Sequence, residues 1–214
     1  MYKPILILMT RWHAIKRCKT RLAKDIGFVQ AVAIQKRLTK HTISVAKSIE
    51  KKGLANVQLA ISGIGPNAAK RFGRSQGLPS VSVQRDGCLG LKMRRQILLS
   101  QRKTSSLKHL KNTIIIIGTD LPDLCEFDLI DALTISKNNE MVIGPSEDGG
   151  YWLLGLSGKL INPLISWPFC GMPWGTSKVI QKTIEKAQKR NIPLTFLKEK
   201  TDLDRLEDLS PWQI

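Results

Sequence analysis

The chain has 214 residues, 42% of them hydrophobic, enough for one globular domain with a sizeable core. Its formal net charge of +17 is lopsided: residues 1–107 carry 22 Lys and Arg against 3 acids, whereas residues 108–214 carry 12 against 14. Cys18, Cys88, Cys125 and Cys170 are scattered without a Cys-x-x-Cys pair, which argues against a disulfide framework and a zinc site, and no apolar run approaches the ~20 residues of a membrane span.

The first apolar run, PILILM at 4–9, predicts a strand. Arg11, Lys16 and Arg17 follow it rather than precede it, the reverse of a signal peptide, so the expectation is a soluble, cytoplasmic protein. Next comes RCKTRLAKDIG at 17–27, whose Lys19 and Arg21 stand where the loop after a first strand can hold phosphates. Arg supplies a bidentate fork and Lys a point charge; read blandly, the same residues are a basic helix start in water. A long helix is predicted over 27–51, with Leu38, Thr42, Val45 and Ile49 on one face and Gly53 as its stop. VQLAIS (57–62) and VSV (81–83) predict further strands, and a helix is expected near 89–103. Four isoleucines at 114–117 then predict a buried strand that runs out into Gly118-Thr119-Asp120. A helix over 126–137, the strands MVIG (141–144) and YWLLGL (151–156), a helix over 176–190 and the strand PLTFL (193–197) complete the series. Continuous apolar strands alternating with helices predict an α/β domain, a mostly parallel central sheet flanked by helices, spanning 1–214.

In open α/β sheets, ligands gather at the carboxyl ends of the strands, and Asp120 stands at such an end. A carboxylate there suits Mg²⁺, which takes one or two protein carboxylates and completes its shell with water and phosphates. Capping the helix near 126, or shaping an Asx turn, accounts for Asp120 equally well. Gly118 would let a ligand come close, Pro122 would stiffen the turn, and Asp123 is better read as a helix cap. In PSEDGG (145–150), Gly149 and Gly150 can make a hairpin turn or bring backbone amides to a ligand, with Asp148 beside them as acceptor or base. Tyr151 and Trp152 point to opposite faces of their strand, so at most one is expected to line a pocket. In KTDLDRLEDL (200–209), Asp202, Asp204, Glu207 and Asp208 read as caps and dipole partners of a short helix. The functional alternative returns Asp204 to the site as a second metal ligand.

Taken in order, K-T-R-L, L-G-x-x-M, G-T-D-L-P, G-P-x-E-D-G-G-Y-x-L-L-G-L, W-G-T and D-x-D-x-x-E-D-L resemble one family. It is the small bacterial glycosyltransferase-like family of the nucleotide-diphospho-sugar transferase superfamily, associated with radical-SAM proteins and arsenosugar biosynthesis. The matches run from Ile5 to Leu209, and the blocks at 118–122 and 144–156 are the specific ones. More distantly the chain is similar to 2-phospho-lactate and molybdenum-cofactor guanylyltransferases. The resemblance implies a single-domain glycosyltransferase-A (Rossmann-like) fold and a transferase with a nucleotide-activated donor and a small-molecule acceptor. Glycosyl transfer is the first reading and nucleotidyl transfer the alternative.

The resemblance also implies that Asp120 and Asp204 hold Mg²⁺ (or Mn²⁺) against the donor phosphates, with Lys19 and Arg21 beside them. Leu89, Gly90 and Met93 would contact the nucleotide side. Asp148, Gly149 and Gly150 would face the acceptor or sugar, Asp148 as base. Two departures stand out. TRWHAIKRC (10–18) has no glycine where relatives carry a proline- and glycine-containing loop, and LGLKM (89–93) puts Leu91 where relatives commonly place an acid. A non-catalytic member of the family is a further alternative. A nucleic-acid-binding protein using the basic half is the rival class. It is disfavoured because residues 1–107 hold only Tyr2, Trp12, Phe28 and Phe72 as aromatics and no RNA-binding motif.

Overall fold

The structure, a computed structural model, describes residues 3–103, 112–138, 141–161 and 168–212. Its elements are β1 (Ile5–Arg11), α1 (Leu22–Ile26), α2 (Phe28–Lys51), β2 (Asn56–Ser62), α3 (Pro66–Ser75), β3 (Val81–Val83) and α4 (Leu89–Lys103). There follow β4 (Ile114–Ile117), α5 (Glu126–Ser136), β5 (Met141–Pro145), β6 (Tyr151–Leu156), α6 (Gly158–Ile161), α7 (Val179–Gln188), β7 (Leu194–Phe196) and a closing 3₁₀ turn, Glu207–Trp212. All seven predicted strands form. They make one sheet in the order β3-β2-β1-β4-β6-β5-β7. β1 pairs in parallel with β2 and β4, β2 with β3, and β5 with β7. β6 runs antiparallel to both of its neighbours, β4 and β5, so the sheet is mostly parallel, as predicted.

Side chains alternate across a strand, and here each side of the sheet buries a layer. Leu6, Leu8, Ile115 and Ile117 pack with Ile43, Ala46 and Ile49 of α2 and Leu129 and Leu133 of α5. Ile5, Ile7, Ile114 and Ile116 pack on the other side with Met93 and Ile97 of α4. Each of the four β4 isoleucines is buried, and full burial of such a side chain contributes roughly 1.5–3 kcal/mol. In α2 the buried positions Ala31, Gln35, Leu38, Thr39, Thr42, Ala46 and Ile49 recur three or four apart, an amphipathic stripe against the sheet. Val45, predicted on that face, is half-buried at its margin.

One local expectation is corrected. Cys125, with extended backbone, occupies the N-cap of α5, and its amide donates to Asp128 Oδ2 at 2.8 Å. Asp123 does not cap the helix; it accepts from Lys200 Nζ at 2.9 Å. The glycine-free loop after β1 reaches its left-handed turns without glycine, because Lys16 (φ +61°) and Lys19 (φ +47°) adopt them. Such backbone is strained for a side-chain-bearing residue and is held by its surroundings. Here Trp12 packs edge-on against Phe72 of α3, and its amide donates to Ser62 O at 2.8 Å.

Candidate functional site

β1, β2, β3 and β4 are parallel and point their carboxyl ends to one rim, where a cavity of about 570 Å³ opens. That is the usual size of a small-ligand site. Asp120 borders the cavity two residues beyond Gly118, which follows β4. The approach is anchored: Thr119 Oγ1 donates to Thr10 Oγ1 at 2.9 Å, and Gly118 N to Trp152 O at 3.3 Å. Lys19, its side chain 4% exposed, lies with Nζ 2.8 Å from Asp120 Oδ1. The carboxyl-terminal segment returns to the same rim through Leu203 N, which donates to Asp120 O at 3.0 Å. There Asp204 borders the cavity and accepts from Arg21 Nη1 at 3.1 Å. Asp120 and Asp204, far apart in sequence, thus share one cavity, each matched by one member of the basic pair.

Lys19, Leu89, Gly118, Asp120 and Asp204 line the cavity. Arg21 stands outside it, mostly exposed, and touches it through Asp204. Gly90 is buried beneath Trp174: a Cβ there would come within 2.7 Å of the indole and 2.8 Å of Phe169 O. Gly149 (φ +81°) packs against backbone, since a Cβ would stand 2.2 Å from Ser177 O, and Gly150 N donates to Asp148 Oδ1 at 2.9 Å. Asp148 itself is exposed at the tip of the β5–β6 turn. Tyr151 and Trp152 both border the cavity while packing into opposite layers, which corrects the expectation that only one would reach it. Gly149→Ala is expected to cost on the order of 1–3 kcal/mol, read by thermal denaturation, because both the left-handed backbone and the Ser177 contact reject a side chain.

Asp202, read from the sequence only as a cap or dipole partner, also converges here. Asp202 sits among Asp120, Asp148 and Asp204. Burial above all, and then those neighbouring charges with Lys19 opposing them, pushes its carboxyl up to about 7. The folded chain therefore keeps a proton that the unfolded chain releases near pH ~4. Stability from this group is full below that pH and is lost as pH rises through about 7. Asp202→Asn is expected to stabilise the metal-free chain by on the order of a few kcal/mol at pH 8 and hardly at all at pH 4. Melting temperatures of both proteins across that range test it. The D-x-D spacing was visible in the sequence, but the desolvation of Asp202 beside three other carboxylates was not.

Among the described residues, no group of three or more His, Cys, Asp or Glu could hold a metal ion alone. The donor set fits instead a hard cation that takes one or two carboxylates and fills its shell with water and phosphates. Two features support that fit: the carboxylates of Asp120, Asp148 and Asp204, which add to burial in raising Asp202, and the open space where a Cβ on Gly118 would stand.

The fold is similar to those of solved nucleotide-diphospho-sugar and nucleotidyl transferases. A structure from Desulfovibrio desulfuricans G20, named as a nucleotide-diphospho-sugar transferase, is 22% identical, with a TM-score of 0.79 over 97% of this chain and 85% of that one. The 4-diphosphocytidyl-2C-methyl-D-erythritol synthase of Anaerococcus prevotii is 11% identical, with a TM-score of 0.60 over 97% and 95% of the two chains. A Mycobacterium tuberculosis H37Rv protein solved as a manganese complex is 15% identical, with a TM-score of 0.54 over 98% and 97%. By sequence, the chain belongs to the family described as "uncharacterized protein conserved in bacteria (DUF2064)", whose pattern it matches over residues 45–176. No curated protein matches it.

Proposed function

We propose that the chain, as one domain over 1–214, is a cytoplasmic, divalent-cation-dependent transferase that draws on a nucleotide-activated donor. The observation that carries this reading is the pairing of Lys19 with Asp120 and of Arg21 with Asp204 on one cavity rim. Mg²⁺ or Mn²⁺ held by Asp120 and Asp204 would neutralise the donor's diphosphate as charge develops on the leaving oxygen. Lys19 and Arg21 exchange their carboxylate partners for phosphate oxygens and hold the diphosphate in place, so their contribution is electrostatic. Gly118 leaves room for the donor, and Leu89, packed beside buried Gly90, forms the nucleotide-side wall. Asp148 Oδ1 is engaged by Gly150 N, which leaves Oδ2 to take a proton from an acceptor hydroxyl. Gly149 and Gly150 shape the turn that presents it.

Glycosyl transfer to a small acceptor is preferred, because the motif series resembles the radical-SAM-associated, arsenosugar-type transferases. Nucleotidyl transfer is the second reading. It is favoured by the names of similar folds, among them a cytidylyltransferase from Leptospira borgpetersenii at 11% identity and a nucleotidyl transferase from Methanothermobacter thermautotrophicus at 12%. The test is a thermal-shift panel of nucleotides and nucleotide-sugars with and without Mg²⁺. A metal-dependent rise for one donor class is the expected result, about 2.7 kcal/mol of stabilisation at a hundredfold excess over Kd. A chain that binds oligonucleotides with a steep salt dependence, and no nucleotide-sugar, would instead be a nucleic-acid-binding protein.

A further inference from the structure

One end of the cavity, at the carboxyl ends of β1, β2 and β3, is lined by Thr10, Gln35, Ser62 and Gln84. Gln84 Nε2 donates to Thr10 O at 3.1 Å and to Ala60 O at 2.8 Å. That sets the sense of the amide, because the opposite orientation would press its oxygen against two carbonyl oxygens. Gln84 Oε1 then accepts nothing from the described residues and is left to the cavity.

A chain of hydroxyls orients Gln35 in the same way. Thr10 Oγ1 donates to Arg11 O and accepts from Thr119 Oγ1. Its 3.3 Å contact with Thr39 Oγ1 therefore uses the Thr39 proton. Thr39 Oγ1 is left to accept from Gln35 Nε2 at 3.4 Å, which turns Gln35 Oε1 away from it. Ser62 Oγ directs its proton to Thr10 O at 3.4 Å. Arg11, also on the cavity's edge, points Nη1 at Arg17 O. Gln84 and Ser62 thus meet the cavity with lone pairs, their side-chain protons bound elsewhere, while Gln35 commits one of its two amide protons to Thr39.

We infer, resting on the transferase reading above, that this end holds the donor's nucleobase and selects guanine. Guanine places two donors, N1–H and the 2-amino group, side by side on its Watson–Crick edge. Adenine, cytosine and uracil each place one donor there. A site whose acceptors are matched by the right base rejects a base that leaves one of them unpaired.

The experiment is calorimetric titration of the full chain, in Mg²⁺, with GDP, IDP, ADP, CDP, UDP and inorganic pyrophosphate. GDP is expected to bind tightest, IDP (which lacks the 2-amino group) about tenfold more weakly, and the others more weakly still. Gln84→Met is expected to weaken GDP by about 10- to 100-fold and to leave pyrophosphate unchanged. ADP, CDP or UDP binding as tightly as GDP would overturn the guanine assignment, as would an unaltered GDP affinity in Gln84→Met. Either result leaves the transferase reading in place if Asp120→Asn abolishes Mg²⁺-dependent binding. Failure of every nucleotide and of pyrophosphate to bind would overturn both.

Discussion

Asp120→Asn is expected to lower turnover by about 10³-fold or more, with the circular dichroism spectrum unchanged and the metal-dependent part of the nucleotide thermal shift gone. The choice of Asn separates the two roles the sequence left open. Asn forms Asx turns as well as Asp does, so a residue that only shaped the loop would tolerate the change. A ligand for a hard cation would not, because the amide oxygen carries no net charge. The structure sharpens the test. Asp120 faces Lys19, whose side chain is almost fully buried, so the variant leaves an ammonium without its counterion. Some loss of stability accompanies the loss of turnover. A control therefore compares the variant with wild type well below both melting temperatures. Normal turnover there, with the nucleotide shift still metal-dependent, would remove Asp120 from the metal site.

Much of this arrangement was legible in the residues themselves. The isoleucine run of β4 can only be a strand covered on both faces, and its exit through Gly118 to Asp120 follows from that. The strand–helix alternation was as clear. What escaped was structure written in punctuation. α3 begins at a proline and contains Gly73, a residue that usually weakens a helix. Gly73 is there because β3 lies against the helix: a Cβ would stand 2.1 Å from Val81 Cγ2. The five-residue α1 is too short for periodicity to announce. At the site, Lys19, Asp120 and Asp204 could be named because their chemistry is local. The setting of Asp202, Gln35 and Gln84 could not, since it depends on which backbone carbonyls and carboxylates the topology brings beside them. The Gly-Gly of 149–150 lies in the β5–β6 turn, one of the two readings open from the sequence, and a Cβ on Gly149 would meet Ser177 of the chain itself.

Lys200→Met is expected to lower stability by about 3 kcal/mol, roughly 6–12 °C in melting temperature for a domain of this size. Lys200 is an ammonium with its side chain 5% exposed, held by Asp123 at 2.9 Å and Asp128 at 3.2 Å and lying 5.8 Å over the Trp152 ring. Burial alone would lower its pKa, but the hydrogen bonds and charges of the two carboxylates outweigh that and raise it. Removing the cation leaves Asp128, 15% exposed, beside Asp123 with nothing between them to balance their charge. Asp123 is 40% exposed and can turn to water, which keeps the expected cost at the lower end for a broken buried pair. The same residue ties the site together through its backbone, with Lys200 N donating to Pro145 O and Glu147 N to Lys200 O. Three residues later, Leu203 N reaches Asp120 O. Loosening this knot is therefore expected to weaken metal-dependent nucleotide binding as well, although Lys200 touches no ligand. Adding Asp123→Asn to Lys200→Met relieves one unpaired carboxylate and should recover part of both losses, a coupling that a double-mutant cycle measures. If the two substitutions instead add without coupling, the Lys200–Asp123 pair contributes nothing, and the strap is held by Asp128 and its backbone hydrogen bonds.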